Sequence, residues 1–248
     1  MAAKVCYLGD DFLTGAAGYL AAIMRHYGVE FDYVPSAESP SEGFRDRAYA
    51  LYVVSDYPAR RFGRPAMQHV VAAVRGGSGL LMLGGWESYF GRLGEYHESP
   101  LADALPVVMG RADDRANCAQ PCLVEVATAH PITEGLPWDR PPGIGGFNRF
   151  SPRDEAQVVL NGVEFDVRCE GGQFQFRPDR RSPLLVVGQY GEGRTAALAT
   201  DVAPHWVGGM VDWGDRRVTE VVAGAEFEVG GWYAQFFYQL LAWTGRWL

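Results

Sequence analysis

The sequence predicts an α/β fold built on a mainly parallel sheet, as one domain over residues 1–248. Three observations predict it. Strand-like apolar runs alternate with helix-spaced apolar residues through the first third of the chain, the pattern of βαβ units with right-handed crossovers. One run, Leu80 to Leu83, is wholly apolar and lies between Gly79 and the pair Gly84-Gly85, as expected of a strand buried on both faces. The composition, 48% hydrophobic and 21% charged, is that of a globular chain with a substantial core.

Taken in order, Lys4 to Leu8 reads as a first strand ending at Gly9-Asp10-Asp11. Ala16, Tyr19, Leu20, Ile23, Met24 and Tyr27 recur at helical spacing, and Gly28 is placed to end that helix. Glu30 to Val34 is a second strand, and Ala50 to Val54 a third that runs into Ser55-Asp56-Tyr57. Pro65 suits a first helical turn, after which Met67, Val70, Val71 and Val74 make one apolar face. Leu80 to Leu83 is the next strand, and Gly84-Gly85 permit a tight exit from it.

Beyond Gly91 the pattern loosens. Pro100 to Pro106 reads as a short helix in a long loop, Cys122 to Ala127 alternates as a strand, and Pro141 to Asn148 reads as a Pro/Gly-rich connection. Ala156 to Leu160, Leu184 to Gln189 and Arg194 to Ala199 are strands, the last two joined through Tyr190-Gly191-Glu192-Gly193 as a tight hairpin. Phe165 to Phe176 is an extra hairpin decorating the second half. Trp232, Tyr233, Phe236, Phe237, Leu240 and Leu241 share one face of a closing helix that packs on the sheet.

Several function classes are excluded at this level. A net charge of −8 and a pI near 5.1 argue against a nucleic-acid surface. No apolar run approaches the ~20 residues of a membrane span, and the early acidic residues do not suit a signal peptide, so a cytoplasmic protein is expected. Cys6, Cys118, Cys122 and Cys169 lack Cys-x-x-Cys spacing and read as free thiols. Among His97, His130, His205, Glu87 and Asp201, no His-x-x-x-His or His-Glu-x-x-His pair places two ligands on one element, so no metal is expected. The glycines at 76–79 match neither phosphate-binding nor dinucleotide-binding fingerprints, so no cofactor is expected.

Ligands bind outside the carboxyl ends of strands in open α/β sheets. That rule gathers Asp10, Asp56, Trp86, Glu87 and Trp206 as ligand-binding candidates and Ser88, His205 and Asp201 as catalytic ones. Ser88 would be a nucleophile if His205 took its proton and Asp201 or Glu87 oriented the imidazole, but a serine after a Gly-Gly turn also serves as a cap. Pro204, between Asp201 and His205, argues against a shared helical face.

Ser55-Asp56-Tyr57, the stretch Gly79 to Gly91, Leu105-Pro106-Val107, His130 to Leu136, Gly188 to Arg194 and Asp201 to Trp206 together resemble the class I glutamine amidotransferase-like superfamily, in its putative glutamine amidotransferase branch near the ThuA-like proteins. The resemblance implies a flavodoxin-like, three-layer domain. Active members carry a Gly-x-Cys-x-Gly elbow where this chain reads Gly84-Gly85-Trp86-Glu87-Ser88, with Trp86 in place of the cysteine, and a later His-x-Glu where His205 is followed by Trp206 and Val207. An indole cannot do the work of a thiolate.

Three readings therefore stand, and the sequence leaves open whether the chain is an enzyme. It is a glutamine amidotransferase-like protein without the standard Cys-His-Glu triad that binds a small polar metabolite near Trp86. It is a hydrolase using Ser88 with His205 and an acid. Or it is a non-enzymatic module whose old active site contributes to contacts with a partner or with a further copy of the chain, a homo-oligomer.

Overall fold

The computed structural model describes residues 4–248. Strands β1 (Lys4–Gly9), β2 (Glu30–Val34), β3 (Leu51–Ser55) and β4 (Gly79–Leu83) are joined by helices α1 (Ala17–His26), α2 (Ala59–Phe62) and α3 (Arg64–Arg75). Every residue of β3 and β4 is buried, as continuous apolar runs require. Removing each large aliphatic side chain of β4 from water contributes about 1.5–3 kcal/mol.

The second half contributes α4 (Pro100–Ala104), β5 (Val107–Met109), β6 (Arg115–Val126), β7 (Gly143–Asn148), β8 (Phe150–Pro152), β9 (Gln157–Glu170), β10 (Gln173–Tyr190) and β11 (Gly193–Leu198). The chain then forms the one-turn helix α5 (Pro204–Val207), the ribbon β12 (Arg217–Val222) and β13 (Ala225–Gly230), and the closing helix α6 (Gly231–Thr244).

Nine strands form one sheet in the order β2-β1-β3-β4-β11-β10-β9-β6-β7. The pairings from β2 to β11 are parallel, and those from β11 to β7 are antiparallel. The separate pairs β12-β13 and β5-β8 are antiparallel too. The expectation of a mainly parallel sheet is therefore corrected: the sheet is mixed, and antiparallel pairing prevails among the described residues. The reason is partly local: β9-β10, β10-β11 and β12-β13 are joined by short hairpins, which can only join antiparallel neighbours, and β6 then adds to the free edge of β9 in the antiparallel sense.

The extra hairpin expected in the second half is present and longer than predicted. It pairs β9 with β10 from Glu170 and Gln173, beside Gly171-Gly172, down to Gln157 and Val187, with Phe174 and Phe176 exposed near its tip. The segment Pro141 to Asn148, read from sequence as a connection, holds the strand β7. Helices α1 and α6 contact each other, and α6 contacts β4 and β11; α3 contacts β11 and α4. One hydrophobic cluster runs from Val5 to Leu241 through both halves.

Candidate functional site

Four neighbouring parallel strands, β1, β3, β4 and β11, end along the same edge of the sheet. Gly9 is paired with Ser55, Ser55 with Leu83, and Leu83 with Leu198. Register alone therefore brings the residues just past these ends, Asp10, Asp56, Gly84-Gly85 and Asp201, to one place. Asp10 and Asp56 turn sharply off their strands, each in the left-handed region at φ 45° and 44°. Asp10 is held there by its backbone: its N–H donates to Ser55 O at 3.0 Å, and its carbonyl accepts from Ser36 N at 2.8 Å and Tyr33 OH at 3.0 Å.

The exit from β4 is locked onto Asp56. Glu87 N donates to Asp56 Oδ1 at 2.6 Å, and Asp56 N donates to Ser88 Oγ at 3.0 Å. Gly85 makes this possible. Its φ is +152°, and a Cβ there would stand 2.1 Å from Asp56 Oδ1. The far side of the loop is pinned by Asp114, which receives Phe90 N and Gly91 N at 3.0 Å each, and by Asn148, which receives Gly85 N at 2.8 Å and donates to Gly85 O at 3.1 Å.

Asp201 follows β11 and is fully buried. Its Oδ1 accepts Val202 N at 2.5 Å and Ala203 N at 3.2 Å, while its Oδ2 lies 3.2 Å from His205 Nε2 without the alignment of a hydrogen bond. Asp201 and His205 share no helical face, since Asp201 precedes α5, yet the two side chains still meet. Pro204 opens α5, where a proline is tolerated because its missing N–H has no partner to lose, and the first turn carries His205 back over Asp201. Asp56, Asp201 and His205 thus meet, with one donor atom of each within 4.8 Å of the others.

These acids crowd one another in a poorly hydrated corner. Burial raises the Asp10 carboxyl far above the usual carboxylate range, and the charges of Asp201 and Asp56 raise it further. Burial and Asp201 likewise raise Asp56, against the opposing N–H of Glu87. Burial raises Asp201, against the N–H groups of Ala203 and Val202. Glu87 is raised by burial and by Asp11, with Arg60 and Arg61 pulling the other way.

Beside this cluster opens a cavity of about 380 Å³, lined by Asp10, Asp11, Asp56 and Glu87, with Ser36, Arg92, Leu93 and the ring of Trp86. Trp86 is 43% exposed, and the Arg115 guanidinium stacks 4.3 Å from its ring centroid. A larger groove of about 500 Å³ lies at the opposite edge, around Lys4, Arg25 and Glu30. The smaller cavity is the better candidate because it sits at the carboxyl ends of the strands and gathers the polar groups.

Of the candidates from sequence, Asp10, Asp56, Trp86 and Glu87 line this cavity, and Asp201 and His205 stand beside Asp56. Ser88 is fully buried with its Oγ accepting from Asp56, and among the described residues no hydrogen bond joins it to His205. Trp206 is 2% exposed and donates its indole N–H to Asn117 Oδ1 at 2.8 Å, outside the cavity lining. Cys6 lies in β1, Cys118 and Cys122 in β6 and Cys169 in β9, all free. Sequence reasoning missed Asp114 and Asn148, the residues that pin the loop. The signal for Asn148 is its place at the end of the glycine-rich stretch from Gly143 to Gly146, and the sequence around Asp114 offers none.

Residues 57–218 match the family described as Putative glutamine amidotransferase. No curated protein matches the chain. Among solved structures, a cytoplasmic protein of Salmonella typhimurium is 25% identical with a TM-score of 0.73, over 97% of this chain and 98% of its own. A second cytoplasmic protein, of Salmonella typhimurium LT2, is 24% identical at a TM-score of 0.74, over 97% and 99%. A putative ThuA-like protein of Parabacteroides merdae shares the fold at 13% identity and a TM-score of 0.58, over 99% and 90%. With its family match covering more than half the sequence, and with ThuA-like proteins among its structural neighbours, the chain belongs to the putative glutamine amidotransferase family of the class I glutamine amidotransferase-like superfamily.

Proposed function

We propose that the chain works as one flavodoxin-like, amidotransferase-like domain without the standard Cys-His-Glu glutaminase triad, and that it binds a small polar metabolite at the carboxyl ends of its strands. The strand order β2-β1-β3-β4 supports the flavodoxin-like reading. The observation that carries the binding reading is the cavity beside Trp86, lined by four acidic side chains and one guanidinium-bearing residue, Arg92. Such a lining favours a ligand rich in N–H or O–H donors, an amine or a polyol, lying against the exposed indole face. Trp86 at the end of β4, with the cysteines on other elements, supports the loss of the glutaminase elbow. The buried Ser88 hydroxyl, already an acceptor for Asp56, favours binding over a Ser88 hydrolase. A cytoplasmic location is supported by the two Salmonella relatives named as cytoplasmic proteins.

The test pairs two assays on purified protein. Ammonia release from glutamine is expected to stay at background. A thermal-shift screen of amino acids, polyamines, amino sugars and polyols, run with chelator and again with zinc, is expected to find a stabilising donor-rich ligand whose effect is lost in Asp10→Asn and Trp86→Ala. Glutamine hydrolysis that disappears in Ser88→Ala and His205→Ala would overturn the reading, as would a screen in which no class of ligand shifts the transition.

A further inference from the structure

We propose that Asp56, Asp201 and His205 form a binding site for a divalent transition-metal cation, such as zinc or manganese. Their donor atoms, a carboxylate oxygen from each aspartate and a ring nitrogen of the histidine, already lie within 4.8 Å of one another. A zinc ion bound at about 2.0–2.2 Å holds tetrahedral donors roughly 3.4 Å apart, so modest side-chain adjustments close the site.

A cluster of acids does not by itself make a metal site. The second observation is a pair of carboxylate oxygens left without donors. Asp201 Oδ2 is buried in a residue with no exposed surface, and among the described residues nothing donates a hydrogen bond to it, the contact with His205 Nε2 at 3.2 Å being misaligned for one. Asp10 Oδ2 is likewise buried without a hydrogen bond among the described residues, in a residue 7% exposed that lines the adjoining cavity. Another buried acid of this protein is treated differently: Asp114 receives two backbone N–H groups and the Asn148 amide. Buried carboxyl oxygens without donors are costly unless a proton or a cation meets them, and a cation between Asp56, Asp201 and His205 would meet Asp201 Oδ2 directly.

The donor set selects the kind of cation. An imidazole beside carboxylates suits zinc or manganese, whereas magnesium and calcium prefer oxygen alone. Three protein donors leave a coordination position open, as in catalytic rather than structural sites, and His205 is half exposed on the solvent side. Asp10 is then the natural acceptor for a metal-bound water. This site goes beyond the ligand reading and does not rest on which molecule enters the cavity.

The experiment is calorimetric titration of chelator-stripped full-length protein with zinc, manganese and magnesium, with cobalt as a spectroscopic probe. One equivalent of zinc or manganese is expected to bind more tightly than magnesium, and cobalt to give visible ligand-field bands. His205→Ala and Asp201→Asn are each expected to weaken binding about tenfold or more and to alter the cobalt spectrum, while Glu226→Gln on the exposed surface changes neither. Asp201→Asn retains the oxygen that accepts Val202 and Ala203, and melting curves in chelator establish that both variants fold. The proposal is overturned if neither zinc nor manganese binds, or if binding is unchanged in both variants. A failed metabolite screen leaves this result untouched, so the two failures are distinguishable.

Discussion

Asn148 Nδ2 donates to Asp114 Oδ1 at 2.7 Å in the buried space behind the β4 exit loop. Asp114 precedes β6 and Asn148 ends β7, so this contact joins the antiparallel half of the sheet to the loop that carries Trp86 and Glu87. Asp114→Ala or Asn148→Ala leaves buried N–H or C=O groups of residues 85, 90 and 91 without partners, and each is expected to lower stability by about 2–4 kcal/mol. Because the two side chains act as a unit, the double variant is expected to lose less than the sum. Urea denaturation of the four proteins checks both statements.

Gly85→Ala addresses the same loop from inside. The added methyl would stand 2.1 Å from Asp56 Oδ1, at a φ that side chains rarely adopt. Backbone strain of about 1–3 kcal/mol is expected, together with displacement of Asp56. Chemical denaturation reads the first, and the affinity for zinc reads the second.

Ser88→Ala separates a scaffolding serine from a reacting one. The Asp56 N–H loses its acceptor at a buried position, so a stability loss of about 1–3 kcal/mol is expected in thermal and urea unfolding. A variant as stable as the wild type would remove the scaffolding account.

His130 gives the fold a pH dependence away from the site. Its Nδ1 accepts Ile132 N at 3.3 Å at the start of a 3-10 turn, which requires that nitrogen to be unprotonated, and its ring packs edge-on to Trp243. Burial, then Arg194, lowers its pKa from the ordinary value of 6.5. The unfolded chain therefore binds the proton more readily. The contribution to stability is complete above about pH 6.5 and is lost as the pH falls through the lowered folded value. His130→Asn keeps an acceptor for the turn but cannot titrate, and is expected to flatten this part of the stability profile. Urea midpoints between pH 5 and 8 provide the measurement.

How much of this was legible in the sequence differs between the halves of the chain. The apolar run at Leu80 to Leu83, the helical spacing from Ala16 to Tyr27 and the aromatic stripe of α6 each carry their period in neighbouring residues, and the structure follows them. Asp10, Asp56 and Glu87 were visible because a residue just past a buried strand has few places to go. β7 was not visible, because Gly143-Ile144-Gly145-Gly146 has low strand propensity. Its glycines serve tertiary needs instead: a Cβ on Gly146 would lie 2.4 Å from the Trp206 indole nitrogen. The partnerships of Asp114 with Asn148 and of Asp56 with His205 span distant parts of the chain, and no local pattern encodes them.

The insertion of β11 between β4 and β10 also bears on how the chain is made. During synthesis the first four strands emerge early, but the free flank of β4 has no neighbour until residues 193–198 leave the ribosome. Over that interval the nascent protein carries a hydrophobic strand with unpaired backbone groups, a template for association with other chains. Asp201 and His205 follow within a few residues of β11. The step that closes the hazardous flank therefore also completes the acidic corner, so a polypeptide interrupted before that step would lack the corner and be prone to aggregate.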